Sequence, residues 1–121
     1  MIRVFTSPTQ ALGAKGEEAA VEWLAEQGFK VVERNAAGKY GEIDIVAKKG
    51  KVWHFFEVKA GKAGSWFNPA ENLTPAKLKK FLLTVEHYAA RRRIGEYQVQ
   101  GIVVRLGEKG DVDSIESIEL T

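Results

Sequence analysis

Three residues carry the first chemical suggestion in this chain: Asp44, then Glu57 after twelve intervening residues, then Lys59. Hard divalent cations such as Mg²⁺ take oxygen ligands, usually one or two carboxylates together with substrate phosphate and water. Asp44 and Glu57 offer those carboxylates, and the main-chain carbonyl of Val58 is a further oxygen beside them. A lysine next to such a pair can orient or help deprotonate a water, or neutralise charge developing on a phosphate. Two carboxylates brought close repel each other, so without a cation one of them tends to keep its proton. The competing reading is structural: the acids guard strand ends against edge pairing and Lys59 is their ion-pair partner. That reading accounts less well for Asp44, which sits in an apolar run with Ile43, Ile45 and Val46. An unpaired carboxylate buried there costs several kcal/mol.

The elements that must position these residues follow from pattern. Gly41 to Lys59 contains two apolar-rich runs flanking Lys49-Gly50, which reads as a β-hairpin. A two-residue turn there pairs Lys48 with Lys51, Val46 with Trp53, Asp44 with Phe55 and Glu42 with Glu57. Side chains alternate along a strand, so Glu42 and Asp44 are expected on one face with Trp53, Phe55, Glu57 and Lys59. His54 falls on the opposite face and reads as structural. Upstream, Ser7-Pro8 opens a helix that Gly28 closes after about Gln27, although Gly13 and Gly16 shift its firm start toward Ala14. Ala20, Trp23 and Leu24 define its buried face, with Glu17 on or beside it, whereas Glu18, Glu22 and Glu26 form a solvated stripe.

Phe29 to Arg34 reads as a strand and Asn35 to Lys39 as a turn; Ile2 to Phe5 reads as a short strand or arm. A Gly-rich loop after Lys59 carries Trp66 and Phe67, which either stack on bases, fold back onto the core or form a dimer contact. Thr74-Pro75 opens a second helix to about Arg93. Its core stripe is Leu78, Phe81, Leu82, Val85 and Ala89, and its separate polar face is Lys77, Lys80, Thr84, His87 and Arg91. Tyr97 to Leu106 and Val112 to Leu120 are strands joined by a turn at Gly110. Helix, three strands, helix, two strands predicts one α/β domain over residues 1–121, with a mixed central sheet of about five strands flanked by two main helices.

Composition narrows the class. With 45% hydrophobic and 28% charged residues in 121, the chain can bury a core and is not of the disordered type. It has no cysteine, which excludes disulfides and thiolate metal sites. No apolar run approaches the ~20 residues of a membrane span, and the first ten residues lack a signal-type apolar region. A cytoplasmic location without a membrane partner is therefore expected. The net charge is only +2, but Thr74 to Arg93 carries six bases against Glu86, and Gly107 to Thr121 carries five acids against Lys109. One basic face suits a polyanion. Lys77, Lys80, His87 and the Arg91-Arg92-Arg93 run are candidate phosphate-backbone contacts; the alternative is a solvated helix face, with the arginines complementing the helix dipole.

Asp, a dozen residues, then Glu-x-Lys at the end of an apolar strand resembles the PD-(D/E)XK nuclease core. More specifically, several stretches resemble the YraN-like family of uncharacterised bacterial proteins. They are Gly16-Glu17 with Ala20 and Trp23-Leu24, Gly28-Phe29, Arg34-Asn35, Gly41-Glu42-Ile43-Asp44, Phe56-Glu57-Val58-Lys59 and Lys77. The resemblance implies a restriction-endonuclease-like fold and kinship with archaeal Holliday-junction resolvases. It implies Asp44, Glu57 and the Val58 carbonyl as ligands of Mg²⁺ or Mn²⁺, Lys59 as the catalytic lysine, and Glu17 as a helix-borne acid facing the same site. The expected activity is metal-dependent DNA cleavage, with branched or junction DNA as a substrate form and a homodimer by analogy. Similar proteins often follow the motif lysine with Thr or Ser and then Arg; here the run is Ala60-Gly61-Lys62, and Lys62 joins Lys77, Lys80 and Arg91 as candidate nucleic-acid contacts. An acid typical of the fourth strand is replaced near Gln98 or Gln100. The alternatives from other classes are a non-catalytic DNA-binding module of the same fold and an interaction protein with no nucleic-acid role.

Overall fold

Glycine at a positive φ closes the first helix: Gly28 (φ = 92°) turns the chain so that Phe29 N donates to Leu24 O at 2.9 Å. The computed structural model describes residues 8–64 and 73–120, with side chains from Ala11 onward. Within them the elements are α1 (Pro8–Glu26), β1 (Lys30–Gly38), β2 (Gly41–Lys49), β3 (Val52–Lys62), α2 (Pro75–Arg91), β4 (Tyr97–Leu106) and β5 (Val112–Glu119). The start of α2 follows its sequence signal: Thr74 Oγ1 accepts from Lys77 N at 3.2 Å and proline opens the first turn. The arm expected over Ile2 to Phe5, the Ser7 cap, and Trp66 and Phe67 lie outside the described residues.

The strands form one sheet in the order β1-β2-β3-β4-β5, antiparallel except for the parallel pair β3–β4, which α2 connects as a crossover. On one face Ala20 and Leu24 of α1 pack with Ile45, Ala47, Phe56, Ile102, Val104 and Leu106. On the other, Phe81, Val85, Tyr88 and Ala89 of α2 pack with Ala36, Ile43, Val46, Phe55 and Val99. The middle strands are thus covered on both faces, which explains their nearly unbroken apolar runs. This is the α/β architecture expected from the sequence, a mixed central sheet of five strands flanked by two main helices.

Several details differ from expectation. Helix α1 begins at Pro8 and runs through Gly13 and Gly16 rather than starting near Ala14. The reason at Gly16 is packing: a methyl group there would overlap Ala60 Cβ of β3, so tertiary contact outweighs helix propensity. Gly16→Ala is therefore expected to lower stability by about 1–3 kcal/mol despite alanine's better propensity, read from the urea midpoint. Strand β1 continues to Gly38, leaving only Lys39 and Tyr40 as a turn, because Ala36 is buried beneath α2. Thr84 was expected on the polar face of α2 but is 2% exposed; its hydroxyl donates to Lys80 O at 2.8 Å. Tyr88, absent from the expected stripe of α2, is a core residue. Its hydroxyl donates to Glu33 Oε1 of β1 at 2.9 Å, and burial, then that bond, pushes it up to about 12.

The β2–β3 register is also displaced. The turn is Gly50-Lys51 with Gly50 at φ = 62°, a glycine in the first central position, so Lys48 pairs with Trp53 and Val46 with Phe55. Each partner moves two residues along β3 from the expected pairing, which keeps Val46 on the expected face with Phe55; the paired register ends at Ile45 and Phe56, before Asp44 and Glu57.

Candidate functional site

The alternation of side chains along β1 and β2 breaks at a single level. Arg34 and its partner Ile45 lie on the α1 side, whereas Ala36 and its partner Ile43 belong to the α2 core. Between them stand Asn35, at φ = 52°, and Asp44. The β2–β3 ladder stops at the same level, with Ile45 and Phe56, while β3 stays paired with β4 as far as Lys62. A cleft opens between the start of β2 and the end of β3. Into it Asp44 sends a carboxylate oxygen that accepts from Val58 N at 2.7 Å, taking the N–H that the ladder no longer satisfies. In a strand the N–H and C=O of one residue point to the same side, so the Val58 carbonyl is directed at this cleft as well.

Electrostatics mark Asp44. Burial, then the negative charge of Glu57 and that of Glu17, push its carboxyl up to about 7, against the pull of Val58 N–H and Lys59. Lys59 Nζ lies 3.3 Å from Glu57 Oε1, both side chains partly open to solvent. Asp44, Glu57 and Lys59 are therefore brought together as a charged group at the cleft. Glu17 approaches from α1, which the Gly16–Ala60 contact draws close to β3. It is 8% exposed and accepts from Arg34 Nε at 3.3 Å and Asn35 Nδ2 at 3.0 Å. Arg34 and Asn35 belong to the stretches that carry the family resemblance, yet neither was expected at the site. The signal was there: an adjacent cation and amide within the family-like stretches, able to pair with the acid on the buried side of the first helix.

Among the described residues no three acids or histidines converge as a metal cage. The oxygens that the cleft offers are those of the Asp44 and Glu57 carboxyls and the Val58 main-chain carbonyl, all of them hard. A cavity of about 180 Å³ lies beside it, between β3, the β1–β2 turn and α2, lined by Glu42, Glu57, Lys59, Lys77, Lys80 and Thr84 among others. Lys77 and Lys80 are exposed on α2, and Lys62 is exposed at the end of β3. Arg91 is exposed further along α2, bordering a second hollow with His87. His54 is structural, as expected: it is 8% exposed, packs on Phe29 and Phe56, and its Nδ1 lies 2.8 Å from Gln100 Oε1.

The architecture is similar to the solved structure of Archaeoglobus fulgidus Hjc, a Holliday junction resolvase from an archaeal hyperthermophile. The TM-score is 0.57 at 15% sequence identity, over 89% of this chain and 77% of that one, a likeness of fold. In sequence, the chain is 39% identical over 113 residues to a UPF0102 protein of Wolinella succinogenes, covering 93% of this chain and 99% of the relative. It is 42% identical over 110 residues to a UPF0102 protein of Sulfurovum, covering 89% and 93%. The family model for UPF0102, described as an uncharacterised protein family, matches residues 16–112, which include the cleft, the acids and the basic helix. The chain belongs to the UPF0102, or YraN-like, family.

Proposed function

We propose that the protein is a metal-dependent DNA endonuclease that hydrolyses phosphodiesters, with branched or junction DNA as its favoured substrate form. The observation that carries this reading is the meeting of Asp44, Glu57 and Lys59 where the β2–β3 ladder ends. The donor set fits a hard cation. Asp44 holds its proton up to about 7 because it is buried with a second carboxylate close by, and a divalent ion would relieve that repulsion. Asp44, Glu57 and the Val58 carbonyl would hold Mg²⁺ or Mn²⁺. When bound, the ion supplies charge neutralisation at the phosphate and lowers the pKa of a coordinated water.

The protein's own groups do the rest. Lys59 orients the attacking water and offsets charge developing on the phosphate. Glu17, through Arg34 and Asn35, fixes α1 against the site and adds negative charge behind Asp44. Lys77 and Lys80 hold the phosphate backbone at the cavity, and Lys62 and Arg91 extend the track in both directions. Among the described residues no helix is long and apolar enough to cross a membrane, and action on DNA goes with the cytoplasm. A homodimer is part of the same proposal, by analogy with resolvases.

A second reading has one observation in its favour. Glu57 is paired with Lys59, and Glu17 with Arg34 and Asn35, so each acid has a protein partner of its own, as in a DNA-binding module that keeps the fold without cutting. Incubating the full chain with linear duplex, flapped and four-way DNA, with Mn²⁺ or Mg²⁺ and with EDTA, separates the two. Cation-dependent cleavage of the branched forms is the expected result. Salt-sensitive binding with no cleavage of any form selects the module, and neither binding nor cleavage removes both readings.

A further inference from the structure

We infer that Tyr40 is a base-stacking residue that selects DNA carrying an unpaired nucleotide next to the phosphate held at Glu57 and Lys59. The inference rests on the nuclease reading and adds to it a substrate feature. Tyr40 occupies the two-residue turn between β1 and β2, where Gly38 pairs with Gly41 and Gly41 takes φ = 149°. Tyr40 is 43% exposed and belongs to neither core cluster.

The turn is firmly seated. Gly38 approaches α2 so closely that a Cβ there would stand 3.2 Å from Thr84 Cγ2. His87 meets the Tyr40 ring at 6.4 Å between centroids, with the planes at 88°. Lys39 Nζ lies 5.5 Å from the same ring, a cation on an aromatic face. An aromatic held in this way loses little freedom when a base settles against it.

Position gives the ring its role. Tyr40 lines the same cavity as Glu57, Lys59, Lys77 and Lys80. The cavity, at about 180 Å³, has room for a phosphate with part of its sugar. A strand whose phosphate reaches Lys59 brings its neighbouring base near the lip, where Tyr40 stands. In a continuous duplex that base is stacked and paired; beside a branch, flap or bulge it is free to turn out. Stacking on an aromatic is indifferent to base identity, so the selection is for DNA structure and not for sequence.

The test measures binding of the full chain, by fluorescence anisotropy in EDTA, to a perfect duplex and to the same duplex with a splayed fork. Tyr40→Ala is expected to weaken fork binding about tenfold and duplex binding less than about twofold. Tyr40→Trp should keep the fork preference, and an abasic site at the unpaired position should abolish the difference between the wild type and Tyr40→Ala. Equal weakening on both DNAs, no weakening on either, or loss of the preference in Tyr40→Trp overturns the inference. Its failure is separable from that of the nuclease reading. If the wild type cleaves branched DNA with Mn²⁺ and binds both DNAs while Tyr40→Ala changes neither affinity, the nuclease reading stands and the stacking role falls. If the wild type neither binds nor cleaves either DNA, both fall.

Discussion

Lys59→Ala is expected to cut the rate of DNA cleavage by about 10²–10³-fold while leaving the folded chain nearly as stable as before. The stability claim comes from exposure: the Lys59 side chain is 31% exposed and its ion-pair partner Glu57 22% exposed. Such pairs contribute roughly 0.2–1 kcal/mol. The rate claim comes from position. Lys59 is the cation beside the two carboxylates at the open end of the β2–β3 ladder, and its ammonium can both orient a water and meet charge on a phosphate. Lys59→Arg discriminates between these two tasks. A guanidinium keeps the charge but does not exchange a proton near neutrality, so rescue by arginine assigns charge neutralisation and failure of rescue assigns water activation. Single-turnover cleavage with a matched melting curve is the measurement, and an undiminished rate in Lys59→Ala removes Lys59 from the chemistry.

The second large effect is on stability and belongs to Asp44. Its carboxyl is raised from 3.8 to about 7, first by burial and then by Glu57. A carboxyl that binds its proton more tightly in the folded chain subtracts stability once both states are ionised. The loss begins above the unfolded value, near pH 4, and is complete above about pH 7. Relaxation and entering water moderate the penalty, which reaches about 2–4 kcal/mol. Asp44→Asn removes the titrating group and keeps an oxygen for Val58 N–H, so at pH 8 in EDTA it should be the more stable protein and at pH 4 no better. Urea midpoints at the two pH values measure this, and the difference between the two proteins isolates Asp44 from the histidines. Adding Mg²⁺ at pH 8 should raise the wild type and not Asp44→Asn, because only an ion that prefers the folded chain stabilises it. Parallel pH profiles for the two proteins would sink the account of the carboxylate pair.

Much of the fold could be read along the chain. Gly28 ending α1, Thr74-Pro75 starting α2, and the helical spacing of Phe81, Val85 and Ala89 are near-neighbour signals, and each lies where it was expected. The spacing of Asp44, Glu57 and Lys59 and the apolar runs around them marked the site, because a carboxylate amid Ile43, Ile45 and Val46 demands an explanation wherever it occurs. A register displaced by two residues still left Val46 on the expected face with Phe55, since strand alternation has a period of two.

Other features depend on segments far apart in sequence. The break in alternation at Asn35 and Asp44 and the end of the ladder at Ile45 and Phe56 are decided by how two strands and α1 meet, which no local pattern encodes. The Gly16–Ala60 contact sets how near Glu17 comes, and Arg34 and Asn35 then occupy that acid, a partnership invisible to helix periodicity alone. Thr84, polar by type, was pulled into the interior because its hydroxyl can bond its own helix while its methyl supports the turn that carries Tyr40. Sequence alone determined which residues had to be explained. The tertiary structure decided which of them meet, because that depends on where a ladder stops and which long-range neighbour satisfies the groups it leaves free.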